Sequence, residues 1–152
     1  MSQPIKRALA LQSFSREHHY ALLLCWKIQM GFSKNAELLR MKKYADWFYK
    51  NYLIKHFEDE EKYVFDILGN DHELIIEALN QHEHLRQLFL KTDDVENTLK
   101  SIQSDLDAHV RFEERILFNV IQQHASEAQM ELIIKIHQDD DFADNFEDVF
   151  WQ

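Results

Sequence analysis

Apolar residues recur along the chain at steps of three and four, the spacing that places them on one side of an α-helix. Followed in this way they mark four long segments, about 8–30, 36–68, 71–91 and 94–124, and a shorter fifth over about 127–138. Pro4 precedes the first segment, Gly31 follows it and Gly69 follows the second, in keeping with the bias toward proline before a helix and glycine after it. Asn70 or Asp71 can cap the third, while Asp93 with Glu96 and Ser126 with Gln129 read as capping boxes for the fourth and fifth. Short connections join antiparallel neighbours. The expected fold is therefore all-α, an antiparallel up-and-down four-helix bundle over about 8–124 with a short extra C-terminal helix, in a single domain.

The inward stripe of each helix is apolar except near its middle. The first gives Leu11, Phe14, His18, Ala21, Cys25, Ile28, and the third Ile75, Ala78, His82, Leu85, Phe89. The second gives Tyr49, Leu53, His56, Glu60, Val64, Ile67, and the fourth Val95, Leu99, Ile102, Leu106, His109, Glu113, Ile116, Val120. Every helix thus places one histidine in its seam, and two of them add a glutamate four residues on. One length does not match. His18 lies about 12 residues before Gly31 and His56 about 20 after the start of its helix, a difference near 12 Å at about 1.5 Å per residue. Either 32–38 is a loop or the second helix overhangs.

Composition sharpens this picture in a few places. Two glycines and one proline in 152 residues argue against a many-stranded β architecture, and eleven Phe, five Tyr and three Trp supply ample surface to bury. The lone Cys25 can form no internal disulfide, which fits a reducing compartment. The apolar stretch Ala8 to Leu11 is too short for a signal peptide, and the run Tyr20 to Trp26 falls far short of the roughly 20 residues of a membrane span. A soluble, cytoplasmic protein is expected. The formal charge of -10 disfavours nucleic acid and anionic membranes as partners, and the cluster Arg40, Lys42, Lys43, Lys50, Lys55 reads as a solvated helix face.

The seam residues carry the chemistry. Residues four apart on a helix face the same way, so His56 with Glu60 and His109 with Glu113 are two HxxxE units aimed into the bundle, completed by His18 and His82. Left unpaired, such groups would cost roughly 1–3 kcal/mol each, and more for the carboxylates, against a total stability of about 5–15 kcal/mol. Bound cations would compensate them. A single zinc takes about four protein ligands and rarely six. Two octahedral metals need about twelve positions, of which four imidazoles, two bridging carboxylates and one bridging oxo or hydroxo group fill about ten. That count favours a non-haem di-iron centre, two Fe ions with an open face.

A lone His, then HxxxE, then a lone His, then HxxxE on successive helices resembles the hemerythrin-like (hemerythrin HHE cation-binding) domain family. The wording around the ligands is similar too: Arg16-Glu17-His18, His56-Phe57-Glu58-Asp59-Glu60-Glu61, Gln81-His82-Glu83-His84-Leu85-Arg86 and His109-Val110-Arg111-Phe112-Glu113-Glu114. The resemblance covers roughly 10–124. It implies two irons bridged by the two glutamates and binding of dioxygen or a related diatomic. The HxxxH of the animal respiratory members does not occur between Asn80 and Arg86, which points away from a respiratory carrier. A binder or sensor of dioxygen, nitric oxide or iron is expected rather than an enzyme. The rivals are nitric-oxide or peroxide handling, iron delivery or storage, and a dizinc structural site. Leu22, Leu53, Leu85 and Phe112 are candidate walls of a water-poor pocket.

The other polar residues read more plainly. His19 has polar helical neighbours where His18 has Leu11 and Phe14, so His18 is the preferred ligand. His72, His84 and His124 are expected on the surface, and His137 in a packing role. Glu58, Glu61 and Glu114 are expected in solvent, with Asp105, one turn before His109, the better candidate for a hydrogen bond to a ligand imidazole. Cys25 reads as a small core residue. The segment 139–151 holds six acids, no base, and Phe142, Phe146 and Phe150 at a spacing of four. It is expected to be a short amphipathic helix that packs back on the bundle or binds a protein partner.

Overall fold

The computed structural model of the chain describes residues 6–137 and 142–152; Pro4 and Asp139 to Asp141 lie outside them. The described residues form an all-α helical bundle. Its first helix is α1 (Leu9–Ser33), and its third is α4 (Glu73–Leu90). The second is a continuous rod built from α2 (Leu38–Phe48), a π-turn (Tyr49–Leu53), α3 (Ile54–Asp59), a second π-turn (Glu60–Val64) and a closing 3-10 turn (Phe65–Ile67). The fourth is α5 (Val95–Phe112), a π-turn (Glu113–Leu117) and α6 (Phe118–His124). A short α7 (Glu127–Ile136) lies against α1. No helix among the described residues is long and apolar enough to cross a membrane.

Several helix ends differ from the sequence expectation, each for a local reason. Gly31 does not end the first helix. It sits within α1, where an added Cβ would collide with Met41 Sδ and lie 2.9 Å from Phe150, so its missing side chain lets α2 and the C-terminal segment close on α1. Because α1 runs to Ser33 and α2 starts only at Leu38, the arms from His18 and His56 to this turn become nearly equal, which removes most of the length mismatch. The third helix is capped neither by Asn70 nor by Asp71 but by His72, whose Nδ1 accepts from the Leu74 N–H at 3.1 Å. The Asp93/Glu96 box is not made: the N-cap is Asp94 in a left-handed conformation (φ 48°), and Thr98 donates its hydroxyl to the Asp93 carbonyl. Gly69 does take the positive φ (85°) that ends a helix, and both halves of the Ser126/Gln129 box are present.

The buried apolar residues fall into two clusters with the polar layer between them. One holds Leu24, Ile28, Met41, Phe48, Phe89, Leu99 and Ile102, and the other Leu11, Phe14, Val64, Phe65, Ile75, Phe118 and Ile121. The expected seams of α1 and α4 are buried throughout, whereas that of the fourth helix slips. A π-turn inserts one extra residue per turn. After Glu113, Ile116 is therefore 48% exposed, and Leu117 and Ile121 take the inward places expected of Ile116 and Val120.

The described part of the C-terminal segment, 142–152, forms no helix. Residues 142–149 run irregularly along α1 and α2, and the chain closes in a turn at Phe150 and Trp151, both buried in the first cluster. Lys27, itself buried, donates to Asp144 and to Tyr44 Oη and lies 3.7 Å from the centre of the Trp151 ring, while Arg40 forms a forked pair with Asp148. These bonds occupy Asp144 and Asp148 and hold the described part of the segment back against the bundle, the first of its two expected roles, and Phe146 is the ring left outside. Nor is the basic cluster all solvated: Lys42 is buried, bonded to Asp46 and the Phe89 carbonyl.

Candidate metal centre

The helices bring all six seam residues to one layer. His18, His56, His82, His109, Glu60 and Glu113 are each at most 4% exposed. They form two overlapping groups of potential ligands, His18, His56, Glu60, Glu113 and Glu60, His82, His109, Glu113, within each of which the ligand atoms lie inside 4.8 Å of one another. Both glutamates straddle the groups. Glu60 Oε1 lies 3.1 Å from His56 Nε2 and 3.3 Å from His82 Nε2, and Glu113 Oε1 lies 2.9 Å from His18 Nε2 and 3.1 Å from His109 Nε2. Each glutamate also opens a π-turn, at Glu60–Val64 and Glu113–Leu117. The wider turn after the carboxylate keeps His and Glu on the α-helical i, i+4 spacing while rotating the apolar residues beyond them into register with the second cluster.

Behind the imidazoles runs a ring of hydrogen bonds that passes from each helix to the next. His56 Nδ1 donates to Glu17 Oε1 on the first helix at 2.7 Å, and His82 Nδ1 to Glu61 Oε2 on the second at 2.7 Å. His109 Nδ1 donates to Gln81 Oε1 on the third at 2.6 Å, and His18 Nδ1 to Glu114 Oε2 on the fourth at 2.7 Å, which closes the ring. Every Nδ1 is thereby committed outward and every Nε2 points inward, the tautomer and orientation of a metal-bound imidazole. Rings hold the planes in place: Phe57 stacks on His82 at 3.9 Å and Phe118 on His18 at 5.3 Å.

The fit to a cation can be judged from atoms that nothing else satisfies. His56 Nε2, His82 Nε2, His109 Nε2, both Glu60 oxygens and Glu113 Oε2 are buried without a hydrogen-bond partner. So many orphaned groups in one layer, all of them lone-pair donors, are costly unless a cation binds there. The protein's own charges report the same frustration. Burial, and then the Glu113 charge, push the Glu60 carboxyl well above its ordinary range. Burial works on Glu113 too, but His109 and His18 outweigh it and hold that carboxyl well below. His18 behaves likewise: burial opposes its proton, yet its bonds to Glu113 and Glu114 push it up to about 9. A proton on His18 does here part of what a metal ion would do.

The residues around the layer fall out differently from the sequence expectation. Glu61 and Glu114 are not solvated but bonded to ligand imidazoles, and Glu61 also accepts from Arg86 at 2.6 Å. Asp105 does not reach His109; it pairs with exposed His84 at 2.7 Å. Glu17 and Gln81 escaped sequence reasoning altogether. Their one signal was position: each is a polar residue directly beside a ligand, and one residue along a helix turns the side chain about 100° toward the neighbouring helix. His137, at the end of α7, is buried, stacked on Phe14 at 3.9 Å and bonded to Asp59, with its Nε2 3.2 Å from Glu17, so its packing role extends to the support of His56. His19 is exposed, His124 is bonded through Nδ1 to the Val120 carbonyl, and Cys25 is a buried core residue whose thiol burial pushes up to about 12. Leu22 lines an outer groove with Trp26 and Arg111, while Leu53 and Leu85 are buried near the layer.

Fold and site together define a helical bundle with a buried histidine and glutamate layer able to hold metal. The chain matches no protein-family model, no curated protein and no solved structure.

Proposed function

We propose that the protein is a hemerythrin-like binder or sensor that holds two non-haem irons between its two ligand groups and takes a small diatomic, dioxygen or nitric oxide, at the centre. One observation carries the reading: four imidazoles turn their Nε2 atoms toward two shared carboxylates, three of them without any hydrogen bond and that of His18 bonded to Glu113, while every Nδ1 is tied to the neighbouring helix. Glu60 and Glu113 belong to both groups and would hold both ions; His18 and His56 would serve one, His82 and His109 the other. A pair of irons supplies redox-active Lewis acids. The protein's own part is to fix the imidazoles through the ring of hydrogen bonds and to keep bulk water out with the two apolar clusters. Four neutral nitrogen ligands offset less metal charge than carboxylates, which favours reversible binding over strong oxidation chemistry. Metal analysis of protein made in iron-replete cells, with optical spectra of oxidised and reduced forms, tests this. About two irons per chain with oxo-bridge bands in the near ultraviolet are expected. Stoichiometric zinc with no iron uptake would falsify it.

A further inference from the structure

Beside the layer lies a small, partly enclosed cavity of about 20 Å³, walled by Tyr20, Ala21, Phe48, Tyr52 and Leu53. That is room for one small molecule, since a water needs roughly 10–15 Å³ by the same kind of measure. Its remaining walls are His56 and Glu17, which are hydrogen-bonded to each other and so offer little to a polar guest. The Glu17 carboxylate also repels anions. On the outer side, Phe142 of the C-terminal segment stacks on Tyr20 at 4.2 Å and tilts against Tyr52 at 4.8 Å, with Phe48 at 6.3 Å. Three walls of the cavity thus meet one ring. The backbone beside that ring is held from the cavity wall: Tyr52 Oη donates to the Ala143 carbonyl and accepts from the Ala143 N–H, both at 3.1 Å.

We propose that this cavity is the passage by which a small uncharged molecule reaches the His18/His56 half of the centre, and that Phe142, wedged between Tyr20 and Tyr52, sets its width. The proposal rests on the metal-centre reading for what lies at the inner end, but the passage and its gate are properties of the protein alone. The other half of the layer faces a different opening. Gln81 and His109 border a wider, solvent-open groove of about 290 Å³, with Leu85 and Ala108 in its wall and the ionisable His84 and Asp105 beside them.

Two measurements test the gate. Crystals of the protein as purified, exposed briefly to xenon, should show the gas between Ala21, Phe48 and Leu53 at several-fold higher occupancy in Phe142→Ala than in the wild type. No xenon there in either protein, or equal occupancy in both, overturns the proposal. In iron-loaded, reduced protein, association of nitric oxide should be about tenfold faster in Phe142→Ala, faster by less in Tyr52→Phe, and unchanged in Phe146→Ala, whose ring is already exposed. An unchanged rate in Phe142→Ala, together with slowing by Ala108→Trp in the groove wall, would assign the traffic to the groove and overturn the gate. Phe142→Leu, with helix content checked by circular dichroism, replaces Phe142→Ala if the smaller side chain loosens the fold. Failure to take up iron would sink the metal reading, while the xenon result would still decide the gate.

Discussion

The His18/His56 half of the centre and the His82/His109 half share two carboxylates, but the groups behind their imidazoles differ. Both imidazoles of the first half are backed by carboxylates, Glu114 and Glu17. In the second half His82 is backed by Glu61, yet His109 leans on the neutral amide of Gln81. A carboxylate acceptor raises the basicity of the imidazole it orients, and an amide does so less. The surroundings differ as well, since a small, partly enclosed apolar cavity abuts the first half and a wider, solvent-open groove the second. Two groups that look equivalent from their side chains are therefore unequal. With metal bound as proposed, the first should hold an ion more tightly and the second should exchange it more readily.

The largest effect should come from removing what the halves share. Glu113→Ala strips a ligand from both groups, and metal content by elemental analysis should fall close to zero. His109→Ala should spare the first half and leave about one ion per chain. Equal losses in the two variants would show that the halves do not bind separately.

A smaller effect should follow from exchanging the supports. Gln81→Glu should tighten the weaker site, and Glu17→Gln should loosen the stronger one, each by about 10–100-fold in a competitive chelator titration. If Gln81→Glu left the two steps of the titration as far apart as before, the proposed origin of the inequality would be wrong.

The halves should also part company with pH. His18 keeps its proton up to about 9 in the metal-free protein, despite burial, because Glu113 and Glu114 accept from it. A metal entering the first half must displace that proton, so apparent affinity there should rise with pH until about 9, with proton release measurable in weakly buffered solution. For the metal-free fold the sign is reversed. The folded pKa lies above the ordinary 6.5, so the His18 contribution to stability is complete below that value and is lost as the pH rises through about 9. A proton count on first-ion binding that does not change between pH 7 and pH 10 would contradict this.

The smallest effect, none, is expected for His84→Ala. His84 is exposed on the rim of the groove and bonded only to Asp105, so metal content should stay at the wild-type level.

The buried seams of α1 and α4 were fully legible, though not their ends, because an uninterrupted 3.6-residue period lets a seam be stepped out from any starting point. The second helix was legible through Val64, the fourth only up to Glu113. There a π-turn adds a residue, and a fixed step then selects Ile116 where the fold uses Leu117. The C-terminal segment misled in a different way. Phe142, Phe146 and Phe150 are spaced as if on a helix, but Phe142 and Phe150 are claimed by separate places on the bundle, and Lys27, Tyr44 and Tyr52 bind the backbone and acids between them.

The sequence by itself determined the all-α fold and which six side chains share the polar layer, because both depend on the period of a single helix, a property local to about ten residues. Only the tertiary structure decided what stands behind each imidazole. Glu17, Glu61, Gln81 and Glu114 act on the histidine of the next helix, and that pairing exists only once the helices are packed side by side. For the same reason the inequality of the two halves, one amide among three carboxylates, was written in the chain but could not be read until the ring had closed.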